Sequence, residues 1–196
     1  TTPIMGEQVS LDVPFGHTKL SKDESKIYAT DSLEEDGFFI YDIASKSVLG
    51  QLATTYADQF TLSSDEKTAF LSIFGTLTIV DIQDPGTPKV ISEFEGCGDT
   101  LLLSPDGTKL YTSREKEAFE MPKLLIINIR DLTKPEAIYH SDAFVTYEGS
   151  RHQGTALITS DGKTGYCGDL GQHLISTPPD TYGTINLHTV DLSTQI

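Results

Sequence analysis

The chain has 196 residues, and its 29 acidic against 14 basic side chains give a formal net charge of -15. This length suits a single domain that buries about two-thirds of the surface its unfolded form exposes. The acidity disfavours a nucleic-acid backbone or an anionic membrane surface as a partner, because both need a basic face on the protein. A cationic ligand, a basic protein or a divalent cation would suit this charge better.

Familiar catalytic and membrane signatures are missing from the chain. It has no GxGxxG, P-loop, HExxH or GxSxG motif. These motifs are typical of nucleotide-binding proteins, zinc proteases and many hydrolases. No apolar run approaches the roughly 18 residues that a membrane helix requires. The chain opens on Thr1 with neither an initiator methionine nor a signal sequence, so we expect a mature or excised piece.

The first predicted element is a strand at residues 7–13, where Val9, Leu11 and Val13 alternate with polar residues. A hairpin pattern follows and recurs along the chain. Each copy has an aliphatic residue three positions before an aspartate, a hydroxyl two before it and an aromatic five after it. The aspartate favours a turn, and the repeated apolar positions predict a shared core. The copies are Leu20–Tyr28, Leu62–Phe70, Leu103–Tyr111 and Ile158–Tyr166.

A second pattern follows each hairpin, a β-prone strand that ends near an Asp or Asn. Its copies are Phe39–Ile43, Gly75–Ile82, Leu125–Ile129 and Leu187–Leu192. In the first three copies a turn leads to one more strand, at Ser47–Leu52, Lys89–Phe94 and Glu136–His140. Each repeat is therefore expected to contain four antiparallel strands, which is the composition of one propeller blade.

The repeats predict an all-β fold, a β-propeller with four blades of four antiparallel strands in a single domain over residues 1–196. The blade units are expected at about 14–54, 55–95, 96–140 and 152–196, with residues 7–13 added to the last. The chain ends where the fourth blade should begin its last strand, and strand 7–13 lacks a partner. We expect these two to pair and close the ring, because an unpaired sheet edge is a liability. The alternative is a part of a larger propeller or of a ring built by two chains.

One segment resembles a known family. Leu77–Pro88, LTIVDIQDPGTP, is similar to the repeats of LVIVD-repeat proteins, and the SPDG hairpin at 104–107 is similar to YVTN-type surface propellers. The second and third units match well and the first moderately, whereas the fourth departs through its long loop before Leu187. The resemblance implies a β-propeller on a secreted, cell-surface or periplasmic protein whose role is binding. It implies no set of catalytic residues.

The loops are expected to sort onto two ends of the sheets. The turns that carry the aligned aspartates and the turns after the Asp-terminated strands share one end, which we name the turn face. The loops between second and third strands and the crossovers between blades share the other, the loop-rich face. Extra residues fall on the loop-rich face, at 113–122, 140–154 and 168–183. Insertions collected on one face are typical of a binding face, and neutral drift in exposed loops is the alternative.

Polar residues that break the repeat also fall on the loop-rich face, where the first strands begin and the second strands end. Clustered Asp, His and Arg suit acid–base chemistry or metal binding. The alternative is that they only surround the solvent-exposed mouth of the propeller's central channel, where an acidic protein would have the same residue types. The candidate binding residues are His17, Asp31, Asp58, Gln59, Asp99, Arg114, Arg151, His152, Asp169 and His173.

The sequence favours a non-enzymatic module that binds a protein, a glycan or a small ligand through its loop-rich face, because packing and turns explain every recurrent residue. The alternative is a lyase or hydrolase with His17, Arg114 and His152 as its catalytic residues. No nucleic-acid partner and no membrane insertion are expected, and a homodimer is compatible with the pattern.

No cofactor is expected, and calcium is the one divalent cation that the sequence suggests. Three neighbouring carboxylates in Ser32–Gly37 would suit it. The ligand spacing of an EF-hand loop is missing there, however. A solvated hairpin turn is therefore the expectation for this segment.

Overall fold

The computed structural model describes residues 15–31, 37–54, 57, 59–98, 100–114, 123–140, 155–159, 161–170 and 185–193. Within these ranges the chain forms four antiparallel sheets and no α-helix. The predicted all-β class is therefore confirmed.

The strands follow one another in each sheet in the order of the chain. Sheet 1 consists of β1 (Phe15–Leu20), β2 (Lys26–Asp31), β3 (Phe38–Asp42) and β4 (Ser47–Leu52). Sheet 2 consists of β5 (Gln59–Leu62), β6 (Thr68–Ile73), β7 (Thr76–Asp81) and β8 (Lys89–Glu95). Sheet 3 consists of β9 (Leu101–Leu103), β10 (Lys109–Arg114), β11 (Lys123–Asn128) and β12 (Glu136–His140). Sheet 4 consists of β13 (Thr155–Ile158), β14 (Thr164–Leu170) and β15 (Ile185–Asp191).

The repeat deduced from the sequence is visible in these sheets. Sheets 1 to 3 have the predicted four antiparallel strands, and each has a register shift at the same place between its third and fourth strands. Sheet 4 has three described strands. The strand predicted at residues 7–13 lies outside the described residues, so the pairing that would close the ring stays a prediction.

A recurrent hydrogen bond joins the two turns at one end of every sheet. The residue after the third strand donates its backbone N–H to a carbonyl beside the aligned aspartate, at 2.7 to 3.0 Å. Both kinds of turn therefore lie at the same end, as the definition of the turn face requires. The pairs are Ile43 with Ser25, Ile82 with Lys67, Ile129 with Thr108, and Leu192 with Lys163.

Sheet 2 lies between sheets 1 and 3, and its strand β7 shows why a run of β-prone residues folds there. Leu77 and Ile79 belong to the apolar cluster shared with sheet 3, whereas Val80 belongs to the cluster shared with sheet 1. Side chains alternate between the two faces of a strand, and both faces of β7 are covered. A strand buried on both faces carries an almost continuous apolar sequence, as β7 does.

The first strands of successive sheets lie side by side. Lys19 on β1 donates from Nζ to Thr61 Oγ1 on β5, at 3.2 Å. The backbone N–H of Leu101 on β9 donates to Gln59 Oε1 on β5, at 2.8 Å. The sheets therefore stack about their first strands, as the blades of a propeller do.

The fourth strand of one sheet approaches the second turn of the next. A Cβ atom added to Gly50 on β4 would lie 2.2 Å from the carbonyl oxygen of Pro85. At the equivalent position of β8, Ser92 Oγ donates to the Leu132 carbonyl oxygen at 2.5 Å. The approach of a fourth strand to the next turn therefore recurs between sheets 1 and 2 and between sheets 2 and 3. Between sheets 1 and 2 the two backbones are so close that only glycine fits at position 50.

Sheet 1 is covered incompletely on the face opposite sheet 2. Phe39 and Tyr41 on this face are buried, but Ile43 beyond them is 37% exposed. Its repeat equivalents Ile82, Ile129 and Leu192 are 3%, 2% and 2% exposed. The turn end of this face therefore lacks the cover that the corresponding position has in the other three sheets.

Candidate functional site

His17 stands at the loop-rich end of β1, where the register of the β1–β2 ladder shifts between Phe15 and Thr18. The backbone N–H of His17 donates to Thr30 Oγ1 at 3.2 Å. Thr30 is buried and His17 is exposed. The irregularity thus fixes the backbone through Thr30 and presents the imidazole to solvent.

Asp31 ends β2 at the same face, but it is not exposed to solvent as a residue at an open channel mouth would be. Its side chain is fully buried, and its backbone N–H donates to the Gly37 carbonyl at 2.9 Å. A soluble ligand therefore does not reach this carboxylate in the observed conformation. The neighbouring segment 32–36, which includes the acidic residues considered for calcium, lies outside the described residues.

Gln59 opens β5 and is half-buried. Its Oε1 accepts the Leu101 N–H described above, so the side chain links the first strands of sheets 2 and 3. A residue committed to that link contributes to the position of the two strands, and its amide nitrogen is the part that remains for a ligand.

The remaining candidates are described only in part. The backbones of Arg114 and Asp169 lie at the ends of β10 and β14, which places both residues on the loop-rich face. Their side chains lie outside the described part of the structure, and so does His152, the third member of the alternative catalytic set with His17 and Arg114. The candidates outside the described residues are Asp58, Asp99, Arg151, His152 and His173.

A buried polar network at the loop-rich end escaped the sequence analysis. Ser72 Oγ donates to the Gly98 carbonyl at 2.9 Å, and the Gly98 N–H donates to Thr112 Oγ1 at 3.0 Å. Cys97 Sγ lies 3.4 Å from the same hydroxyl oxygen. These bonds fix the crossover from sheet 2 to sheet 3. No periodic pattern announces such a network, because its partners belong to three separate segments.

Phe74 is a second feature that the repeat pattern did not single out. It lies in the β6–β7 turn at the loop-rich face, its side chain is 70% exposed and its φ is 46°. A non-glycine residue at positive φ is uncommon and marks a turn or local strain.

The carboxylates of the turn face are committed to their own turns. In every repeat the hydroxyl two positions before the aligned aspartate donates to its Oδ1, at 2.6 to 2.7 Å. These hydroxyl bonds are the leading cause of a pKa below the ordinary range for each carboxyl, and Ser104 together with Thr108 lowers the pKa of Asp106 to about 2. The four residues are Asp23, Asp65, Asp106 and Asp161.

Acid is therefore expected to destabilise the fold through these turns. The folded-state pKa values lie below the value of about 3.9 for an unfolded chain, so the stabilisation is present above about pH 4 and is lost as the pH falls towards 2. The urea midpoint should stay level from about pH 7 to 5 and drop below about 4. In Asp106→Asn that drop should be smaller, and an unchanged slope in this variant would contradict the assignment.

The described ranges contain neither a membrane-spanning helix nor a cluster of metal ligands. No helix there is long and apolar enough to cross a membrane. In the same part of the chain, no group of three or more His, Cys, Asp or Glu residues is arranged to hold a metal ion.

Comparison with known proteins shows the fold and no family. No protein-family model matches the chain, and no curated protein matches it. Among solved structures, it is similar to a β-propeller domain from Myceliophteria thermophila, with a TM-score of 0.61 and 11% identity over 82% of this chain and 52% of that one. The all-β fold is thus β-propeller-like.

Two further solved structures are named for enzymes. Hydrazine synthase from Kuenenia stuttgartiensis matches with a TM-score of 0.66 and 17% identity over 98% of this chain and 50% of that one. A candidate 6-phosphogluconolactonase from Bacteroides fragilis matches with a TM-score of 0.59 and 18% identity over 80% of this chain and 48% of that one. The chain therefore spans about half the length of the structures it matches.

Proposed function

We propose that this chain is a non-enzymatic β-propeller module that binds a protein, a glycan or a small ligand through its loop-rich face. The contrast between the two ends of the sheets carries the proposal. On the turn face the aligned aspartates accept hydrogen bonds from hydroxyl and backbone donors of their own short turns. On the loop-rich face His17 and Phe74 are exposed, and the sequence insertions are directed to that end.

The propeller that we propose has four blades, and residues 7–13 complete the fourth. Three sheets have four strands, and the described part of sheet 4 has three. The exposed Ile43 supports the same arrangement, because its equivalents in sheets 2 and 3 share apolar clusters with the preceding sheet. A fourth strand on sheet 4 would supply that cover in sheet 1.

The family and location that we propose follow from the resemblance to LVIVD-repeat and YVTN-type propellers. The Asp84-Pro85-Gly86 turn, the most distinctive part of the resemblance, is held by Asp84 Oδ1, which accepts the Gly86 N–H at 3.0 Å. On this basis the module belongs to a secreted, cell-surface or periplasmic protein. It works without a cofactor and without a nucleic-acid partner.

The binding face can be tested by blocking one end of the sheets at a time. His17 and Lys22 stand near opposite ends of β1 and are both exposed. The chain has two cysteines, of which Cys97 is buried, so the other, Cys167, would first be replaced by serine. His17 or Lys22 would then be changed to cysteine in this variant and coupled to a polyethylene glycol chain. The conjugates would then be applied to arrays of immobilised peptides and glycans. We expect the polymer at position 17 to abolish array binding and the polymer at position 22 to leave it intact.

Two outcomes would contradict the proposal. Loss of binding from position 22 with retention at position 17 would mean that the turn face is the binding face. Retention with both conjugates would mean that neither end of the sheets is used.

A hydrolase is the second candidate, because one similar structure is named as a candidate 6-phosphogluconolactonase. The catalytic residues would be His17, Arg114 and His152, and a lactone is the substrate class to assay. Hydrolysis that exceeds the buffer rate and is lost in His17→Ala and His152→Ala, with an unchanged melting temperature, would establish this candidate. Absence of hydrolysis by the unmodified protein would remove it.

A further inference from the structure

Lys19 reaches from β1 to the first strand of sheet 2. Its Nζ lies 3.2 Å from Thr61 Oγ1 and 5.6 Å from the centroid of the Phe60 ring. Within the described sheets, β1 and β5 are both edge strands with a neighbouring strand on one side. The ammonium group therefore lies beside the inner edges of two sheets, and its side chain is exposed, so that a ligand can reach it.

The surroundings of the Lys19 ammonium suit an added negative charge. Among the described residues its polar and ring contacts are with Thr61 and Phe60, and both of these side chains are uncharged. Burial lowers the pKa of Lys19, because it removes part of the hydration that stabilises the charged form. Lys134, by contrast, lies 2.9 Å from the Glu136 carboxylate. A carboxylate supplied by a ligand would give Lys19 an equivalent partner.

Thr61 and Gln59 add hydrogen-bond donors on one side of β5. Residues two positions apart on a strand point to the same side, and they are roughly 6.6 Å apart. Thr61 Oγ1 accepts the Lys19 ammonium bond, and Gln59 Oε1 accepts the Leu101 N–H at 2.8 Å. A hydroxyl that accepts a bond still has its own hydrogen to donate, and a glutamine whose oxygen accepts still has two N–H donors. These two side chains therefore offer donors to a ligand.

We propose that Lys19, Thr61 and Gln59 form a binding site for the carboxylate group of a small organic anion. An ionised carboxylate only accepts hydrogen bonds, so it matches three donor groups of which one is charged. The net charge of -15 opposes a ligand with several negative charges more strongly than a monovalent one, so a monocarboxylate fits better than a phosphate. The inference goes beyond the proposed function, because the site lies along the first strands and does not depend on which end of the sheets is the binding face.

The test follows backbone amide shifts by NMR while sodium acetate replaces sodium chloride at constant ionic strength and neutral pH. Acetate is a simple monocarboxylate, and acetamide, its neutral analogue of similar shape, is the control ligand. We expect acetate to cause saturable shifts of the amides of residues 18–20 and 59–62, and acetamide to cause none. Inorganic phosphate should bind more weakly than acetate.

Two substitutions remove the donors with little change of shape. Lys19→Met keeps an unbranched side chain without the charge. Gln59→Glu keeps an oxygen that can accept the Leu101 N–H, but it replaces the amide nitrogen with an acceptor that repels an anion. Each should weaken acetate binding about tenfold or more, the loss expected for a hydrogen bond to a charged group. Lys134→Met is the matched control, because it removes a lysine charge that Glu136 already pairs, and the acetate affinity should stay within about twofold.

A third substitution separates binding from packing. Lys19→Arg restores a cation at position 19, so it should recover most of the acetate affinity that Lys19→Met loses. If Lys19 served only to pack over Phe60, the acetate affinity would not follow the charge at this position, and that result would overturn the inference.

Four further results would also overturn it: shifts that rise with acetate without saturating, equal shifts with acetamide, tighter binding of phosphate than of acetate, or an acetate affinity unaffected by Lys19→Met and Gln59→Glu. In each of these cases the polymer-blocking experiment at positions 17 and 22 still decides the proposed function separately.

Discussion

Phe38→Ala is expected to lower the free energy of unfolding by about 3–5 kcal/mol, the range for a buried phenylalanine in a core. Phe38 is fully buried where sheets 1 and 2 meet. Its ring centroid lies 6.4 Å from that of Tyr28 and 5.4 Å from that of Phe60. Truncation removes these contacts and leaves a cavity between sheets 1 and 2, which are too rigid to close over it. Urea unfolding at neutral pH measures the effect.

Phe74→Ala provides the matched control for this prediction. It removes the same atoms from a side chain that is 70% exposed, so the expected loss is clearly smaller than that in Phe38→Ala. Comparable losses in the two variants would contradict the placement of Phe38 in an inter-sheet core.

Deletion of residues 1–13 is expected to lower the melting temperature by roughly 10 °C or more, since a domain of this size loses about 2–4 °C for each kcal/mol. The deletion stops before β1, so it leaves every described strand in the chain. It would remove the strand predicted at residues 7–13 and leave β15 as an open edge next to an uncovered Ile43. Calorimetry at neutral pH measures the shift.

A shorter deletion controls for nonspecific effects of the missing terminus. Removal of residues 1–6 keeps Val9, Leu11 and Val13 and should leave the melting temperature within about 1–2 °C of the original. A full deletion that also melts at the original temperature would contradict closure by this strand.

Much of the fold could be predicted because its causes are local and repeat. The turn at each aligned aspartate needs only a hydroxyl two positions before it and a residue that tolerates positive φ after it. Glu24, Glu66, Gly107 and Gly162 occupy that last position with φ between 56° and 71°. Two predicted fourth strands, Ser47–Leu52 and Glu136–His140, coincide with β4 and β12.

The contacts between sheets could not be predicted in the same way. Gly50 has no turn to explain it, and its reason is the Pro85 carbonyl of the next sheet. The Ser72–Gly98–Thr112 network likewise depends on which segments meet in space. The repeat identifies which residues point between sheets, but the partner at each point comes from residues roughly 40 positions away, and no local signal encodes it.

The candidate site shows the same division. Sequence reasoning placed His17, Asp31 and Gln59 at one end of their strands, and the structure places them there. It did not foresee that Asp31 is buried or that Gln59 bonds to β9. It also passed over Phe74, because the backbone conformation at that position is not visible in the sequence.

Amide hydrogen exchange along β15 tests the central claim, a four-bladed ring completed by residues 7–13, most directly. In a strand, alternate backbone N–H groups point to the neighbour on each side, and β14 is the described neighbour on one side of β15. If residues 7–13 pair with the other edge of β15, the amides of β15 that face away from β14 should exchange slowly. The reference is the third strand of a complete sheet, that is, the amides of β7 that face β8 and those of β11 that face β12. Their protection should disappear on deletion of residues 1–13. Rapid exchange of these amides in the intact chain would contradict the ring.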